Sequence, residues 1–184
     1  MLTMDDFVNE DDPILRQVAV EVPLPASNGD KQLLASLMEY VQNSQKPDIA
    51  ALYGLRAGIG LAAPQVNVSK RMIAVHLKEK DDQLYSYALF NPKLVSHSVE
   101  KAYLTSGEGC LSVNRPVSGY VPRYARITVA GTDLEGKSVQ LRLKGIAAIC
   151  FQHEIDHLNG IMFYDHIHPE DPYAIPENSI AVER

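Results

Sequence analysis

Residues 152–160 read Gln-His-Glu-Ile-Asp-His-Leu-Asn-Gly, and the spacing of the two histidines constrains this chain more than any other stretch. His153 and His157 lie four residues apart. On an α-helix four residues advance about 400°, so the two imidazoles sit one turn apart with a net rotation of about 40°. Both rings can then reach one metal ion, and Glu154 beside them can act as general base toward water. Ile146 and Cys150 share the histidine stripe, and Ala147, Phe151, Ile155 and Leu158 form a second apolar sector. A helix with this much apolar area is expected to be largely buried. Gly145 precedes it and Asn159-Gly160 stops it.

Two histidines do not complete a catalytic metal site, which needs a third protein ligand and an open position. In the pattern H-E-x-x-H-x-x-G-x-x-H the last position falls on Phe163, which cannot coordinate. The downstream acids Glu170, Glu177 and Glu183 lie in a segment without helical character. Cys150 is on the right face but seven residues before His157, about 10.5 Å along the axis at 1.5 Å per residue, so it reads as a small core residue. Elimination leaves Cys110, in the glycine-containing stretch Thr105 to Val113, where backbone can approach a metal and substrate closely. The candidate set is Cys110, His153 and His157. A zinc peptidase with a different third ligand and a non-catalytic metal-stabilised binding protein stay open at this point.

The chain has 184 residues and 46% hydrophobic content, which suits one domain, 1–184, with 169–184 as a peripheral tail. Two cysteines are too few for a disulfide scaffold. A net charge of −6 argues against general nucleic-acid binding. No apolar run is long enough to span a membrane and the acidic N-terminus has no secretory h-region, so a cytoplasmic location is expected.

Asp12-Pro13 predicts a short helix through Val18, and Asn28-Gly29 a turn. Apolar residues at Leu33, Leu34, Leu37, Met38 and Val41 predict a helix over 31–44, stopped by Pro47. A further turn or two runs to Tyr53, with Gly54 as its cap. Strands are expected at 71–77, 85–91, 93–99, 126–132 and 138–143, with turns at 78–83 and at Asn91-Pro92 and a hairpin at 133–137. Helices first, then strands, then one helix is an α+β order: mixed, mainly antiparallel sheets packed around the central helix.

Three stretches together resemble the peptide deformylases: Gly58-Ile59-Gly60-Leu61-Ala62-Ala63-Pro64-Gln65, Glu108-Gly109-Cys110-Leu111-Ser112, and Gln152-His153-Glu154-Ile155-Asp156-His157-Leu158. Their order and spacing match, and the similarity spans nearly the whole chain. The segment from Gln42 to Leu55 and the short C-terminal tail look like the type 2 form of Gram-positive bacteria. The resemblance implies one ferrous ion held by Cys110, His153 and His157. It implies removal of the formyl group from the N-terminal methionine of new polypeptides. It assigns proton transfer to Glu154 and oxyanion stabilisation to Gln65 and the backbone N–H of Leu111.

A thiolate with two imidazoles also suits zinc, nickel or cobalt. Formyl-methionyl nascent peptides are the expected partners, with transient ribosome proximity, no direct nucleic-acid contact, no membrane, and a monomeric state. Gly58 and Gly60 leave a backbone edge to which a peptide can add as a strand. The same stretch satisfies a dinucleotide fingerprint, but no apolar strand precedes it and Pro64 interrupts the helix that should follow. Gly109 belongs to the substrate side of the cysteine loop. Ile59, Ile146 and Ile149 read as lining for a methionine pocket or as plain core. Arg123 reads as a contact to the peptide or as a solvated arginine. Glu108 is expected beside Cys110, and Asp156 either orients a group near the site or is a surface acid.

Overall fold

The computed structural model describes residues 1–80 and 82–184. Its regular elements in chain order are α1 (Asn28–Ser44), α2 (Pro47–Tyr53), β1 (Gly60–Ala62), β2 (Met72–Lys78), β3 (Leu84–His97), β4 (Lys101–Leu104), β5 (Arg123–Tyr124), β6 (Arg126–Thr132), β7 (Ser138–Lys144), α3 (Gly145–Leu158) and β8 (Ser179–Val182). Short 3-10 turns occupy Pro13–Arg16, Ala63–Val66 and Phe163–His166.

The layering follows from β2. Its residues are apolar at alternate positions of both parities, so both faces must be covered. Ile73, Val75 and Leu77 face one cluster, with Ala147, Ala148, Phe151, Ile155 and Leu158 of α3. Met72 and Ala74 face another, with Leu34, Leu37, Tyr40 and Val41 of α1. The sheet therefore lies between the two helices. Each of these large side chains contributes roughly 1.5–3 kcal/mol by leaving water.

That sheet has the order β1-β2-β3-β6-β7 and is antiparallel throughout, with β1 at one edge. A second sheet, β5-β4-β8, packs on the far side of α3, where Ile149 meets Ala102, Leu104 and Ala125. In this sheet β4 pairs with β5 antiparallel and with β8 in parallel. The central helix is thus enclosed between two sheets, in keeping with the α+β architecture expected from the sequence.

Several expectations are corrected. Asn28-Gly29 is not a turn but the start of α1, because the Ser27 hydroxyl accepts from Asp30 N–H (3.1 Å) and caps the helix there. The first helical segment stops at Arg16 after one 3-10 turn. The strands expected at 85–91 and 93–99 are one strand, β3. Asn91, at φ 49°, and Pro92 make a register shift within it, not a turn. The turn expected at 78–83 includes Asp81, which lies outside the described residues. The tail is not wholly peripheral, since β8 completes the second sheet. Gly54 does close α2 in the left-handed conformation, at φ 62°.

Candidate active site and metal centre

α3 begins without a cap of its own. Lys144 offers no side-chain hydrogen bond, and the Glu79 carboxylate instead accepts from Ala147 N–H at 3.0 Å. Farther along, the Gln152 amide clamps β5: Oε1 accepts from Tyr124 N–H (2.8 Å) and Nε2 donates to Tyr124 O (2.9 Å). These contacts set the height and rotation of the helix that carries His153, Glu154 and His157.

The loop between β4 and β5 brings Cys110 to the histidines. One ligand atom from each of Cys110, His153 and His157 lies within 4.8 Å of the others. Cys110 Sγ is 3.3 Å from His157 Nε2. Two ligands at about 2.0–2.3 Å from a tetrahedral ion sit roughly 3.5 Å apart, so this separation fits one metal. The histidine rings are 5.0 Å apart and near perpendicular, at 75°. All three residues are buried. Burial and the positive charge of His153 push His157 well below its usual range, which favours the neutral imidazole that metal binding needs. Burial opposes protonation of His153, but Cys110 and Glu108 together draw it well upward. A neutral ring with its proton on Nδ1 satisfies Glu108 and leaves Nε2 free on the thiol side for a divalent cation.

His153 is oriented from behind. Its Nδ1 meets Glu108 Oε2 at 2.8 Å, which turns Nε2 toward the thiol side. Glu108 is held in turn by a two-pronged contact from Arg123, at 2.9 Å on each prong. The remaining Arg123 nitrogen donates to Asp156 (2.5 Å), which also meets His166 Nε2 (2.8 Å). Burial raises the Glu108 carboxyl, but the Arg123 guanidinium and His153 overcome that and hold it at about 2. A carboxylate behind a metal-binding histidine fixes the ring and strengthens it as a ligand.

Glu154 lies on the adjacent face, 4% exposed. Burial lifts its carboxyl to about 7. Its Oε2 has no hydrogen-bond partner among the described residues although the side chain lines a cavity, so a polar occupant fits there. Gln65 approaches from the turn after β1. Its Oε1 accepts from Ala62 N–H (2.9 Å), which aims Nε2 at Cys110 Sγ (3.3 Å). Gly60 passes so close to Glu154 that a Cβ there would fall 2.8 Å from its Cγ and Cδ.

The cavity is about 210 Å³ and runs from Gly58, Ile59 and Gly60 across Cys110 and Leu111 to Ile146 and Ile149. Gln65, Gly109, His153 and Glu154 also line it. Arg123 does not. It is 3% exposed beneath Glu108 and engaged by two carboxylates, so the expected substrate contact is replaced by a supporting one. Asp156 belongs to that same network. Cys150 has a thiol held well above its usual range by burial, which suits a packed side chain and not a ligand. Phe163 stacks on His153 at 5.8 Å and 20°, and so serves as packing.

Three contributors have no signal in the sequence. Arg56 donates to Leu111 O (3.1 Å) and Asn114 Oδ1 (2.7 Å) and reaches Cys110 O and Val113 O, pinning the cysteine loop. Glu79 caps α3 from 68 residues away. Arg184 lines the cavity. Each is a charged residue outside any motif, placed by tertiary structure alone.

The family model of polypeptide deformylases matches residues 4–173. A protein named peptide deformylase 2 from Geobacillus stearothermophilus is 65% identical over 184 residues and covers 100% of both chains. Its namesake from Bacillus subtilis is 62% identical over the same span. Among solved structures, peptide deformylase from Ehrlichia chaffeensis is 31% identical with a TM-score of 0.74, over 90% of this chain and 88% of that one. A Met-Ala-Ser-bound class I type b peptide deformylase from Acinetobacter baumannii is 30% identical with a TM-score of 0.69, over 88% and 96%. A family model that spans most of the chain and full-length relatives above 60% identity agree with the buried cysteine–histidine cluster: this chain belongs to the polypeptide deformylase family.

Proposed function

We propose that this enzyme removes the N-formyl group from N-terminal methionine, releasing formate, with Cys110, His153 and His157 as the metal ligands and Glu154 as the proton carrier. The convergence of those three donors beside the buried Glu154 carboxylate carries the assignment. When bound, a divalent cation polarises a carbonyl and lowers the pKa of water from 15.7 toward about 7. The soft thiolate with two imidazoles suits iron, zinc, nickel or cobalt alike, and the choice of ferrous iron rests on the family resemblance.

The chain's own groups do the rest. Glu154 takes a proton from the attacking water and passes it to the departing amine nitrogen, one carboxylate serving as base and then as acid. Gln65 Nε2 and the Leu111 N–H donate to the oxygen of the formyl group as it gains charge. One such preorganised donor is worth about 10²–10³ in rate. The pinning of Gln65 Oε1 by Ala62 N–H supports this role, because the amide needs no reorganisation.

β1 is an edge strand, so the peptide extends the sheet alongside Gly58 to Gly60 and places its methionine side chain among Ile59, Ile146 and Ile149. Gly109 leaves the cysteine loop open on that side. The Met-Ala-Ser bound to the Acinetobacter protein is a peptide of this kind. The partners are formyl-methionyl nascent peptides met near the ribosome in the cytoplasm, by a monomer. No helix among the described residues is long and apolar enough to cross a membrane.

The test is anaerobic formate release from formyl-Met-Ala-Ser by protein loaded separately with iron, nickel and cobalt, beside metal analysis. Stoichiometric metal and formate release are expected. Glu154→Gln should keep the metal and lose turnover by at least about 10²-fold. No release with any of the three metals would overturn the reading.

A further inference from the structure

The strand register of the second sheet brings a cation to the substrate cavity. β8 runs parallel to β4, with Lys101 beside Ser179 and Leu104 beside Val182, and Thr105 N–H donates to Val182 O at 3.0 Å. β4 leads directly into the loop that carries Cys110, so the continuation of β8 arrives at the same place. Two residues beyond Val182 is a reach of roughly 7 Å. Arg184 accordingly lines the cavity next to Leu104, Gly107, Ile146, Ile149 and Cys150.

Its charge is not already committed. The other arginine lining the cavity, Arg56, is engaged by four acceptors of the cysteine loop. The side chains of the two lining acids, Glu108 and Glu154, are buried, and Glu108 is paired with Arg123. Among the described residues no side-chain carboxylate forms an ion pair with Arg184, whereas its neighbour Glu183 approaches Lys80 at 3.8 Å.

A substrate strand alternates its side chains with period two. If the first residue points into the pocket of Ile146 and Ile149, the second points away and the third points back to the same side. Arg184 lines that same cavity with Ile146 and Ile149, where a side chain returning to this side meets it.

We infer that Arg184 is a specificity-determining residue that favours a carboxylate on the third residue of the formyl-methionyl substrate. The inference rests on the deformylase reading and on the strand-addition pose. The partner chemistry is an acidic side chain three residues from the formylated end, held by an exposed, salt-sensitive ion pair.

The experiment compares kcat/KM for formyl-Met-Ala-Glu-amide and its neutral isostere formyl-Met-Ala-Gln-amide. Formyl-Met-Glu-Ala-amide and formyl-Met-Gln-Ala-amide are the positional controls. The iron-loaded wild type should prefer glutamate over glutamine at the third position by about three-fold at low salt, the size an exposed pair supports, and added salt should erase the preference. Arg184→Gln should bring that ratio to about one, and Arg184→Glu should invert it, with the second-position ratio unmoved. A wild-type ratio at or below one overturns the inference. So does a ratio that survives Arg184→Gln, or one that shifts equally at both positions. No formate from any peptide would instead defeat the deformylase reading, and this inference with it.

Discussion

Glu79 and Ala147 are joined by one hydrogen bond, 3.0 Å from the Ala147 N–H to the Glu79 carboxylate, and that bond starts the helix on which the active site is built. It places a carboxylate where the first-turn N–H groups of α3 are exposed and the helix dipole is positive. Gly145, at φ 60°, lets the chain turn from β7 into the helix with the Glu79 oxygens 3.1 Å from where a Cβ would stand. Glu79→Ala should cost about 1 kcal/mol of stability, the usual worth of a cap, seen as a lower urea midpoint with unchanged slope.

Arg123 holds Glu108 behind His153 and does not line the cavity. Replacement by methionine leaves Glu108 buried without its counter-charge and frees His153 to rotate. Arg123→Met should destabilise the fold by about 3–5 kcal/mol and weaken metal affinity about ten-fold or more. Thermal unfolding and a competitive chelator titration read the two effects separately. Unchanged chelator resistance would rule out the orienting role.

Gly60 lies against the Glu154 side chain. A methyl group there presses on the Glu154 Cγ and Cδ from 2.8 Å and must displace the carboxylate. Gly60→Ala should lower kcat by about 10²-fold, the effect of misplacing a reacting group by about 1 Å, while metal content stays stoichiometric. Steady-state kinetics with metal analysis on the same preparation checks this.

Asp30 and Lys70 tie the first turn of α1 to the segment before β2, at 2.5 Å. The Lys70 ammonium, with the Ser27 hydroxyl, holds the Asp30 carboxyl below its ordinary 3.8 against the opposing effect of burial. A depressed carboxylate stabilises the fold fully above its unfolded value and loses that contribution as pH falls through the folded one. Stability of the wild type should therefore drop more steeply below about pH 4 than that of Asp30→Asn, and the two curves should run parallel above about pH 5. Denaturant unfolding across that range decides it.

The helix spacing of His153 and His157 was legible because it is local. The assignment of Cys110 followed from rise per residue, which removed Cys150, and the structure brings that thiol within 3.3 Å of His157. α1 and α2 were readable from apolar periodicity and from Pro47 and Gly54. What sequence reasoning missed is non-local. Arg123 looks like any arginine until Glu108 and Asp156 are placed on either side of it. Asn91-Pro92 is strong turn chemistry, yet pairing with β2 and β6 carries the strand through it. β1, β5 and β8 have four residues or fewer, too short to show a period of two.

The cysteine loop precedes its partner histidine by 47 residues, and the strand that completes its sheet comes later still. Synthesis runs from the N-terminus, so the thiol of Cys110 emerges well before α3 can enclose it and before β8 can pair with β4. During that interval it is an ordinary accessible cysteine, open to oxidation along the sulfenic-to-sulfinic route. In the folded chain the residue is only 8% exposed. Biogenesis of an active enzyme thus becomes a race between chain completion and thiol damage, and a preparation made under oxidants should lose activity at the stage of synthesis, before the finished protein is ever challenged.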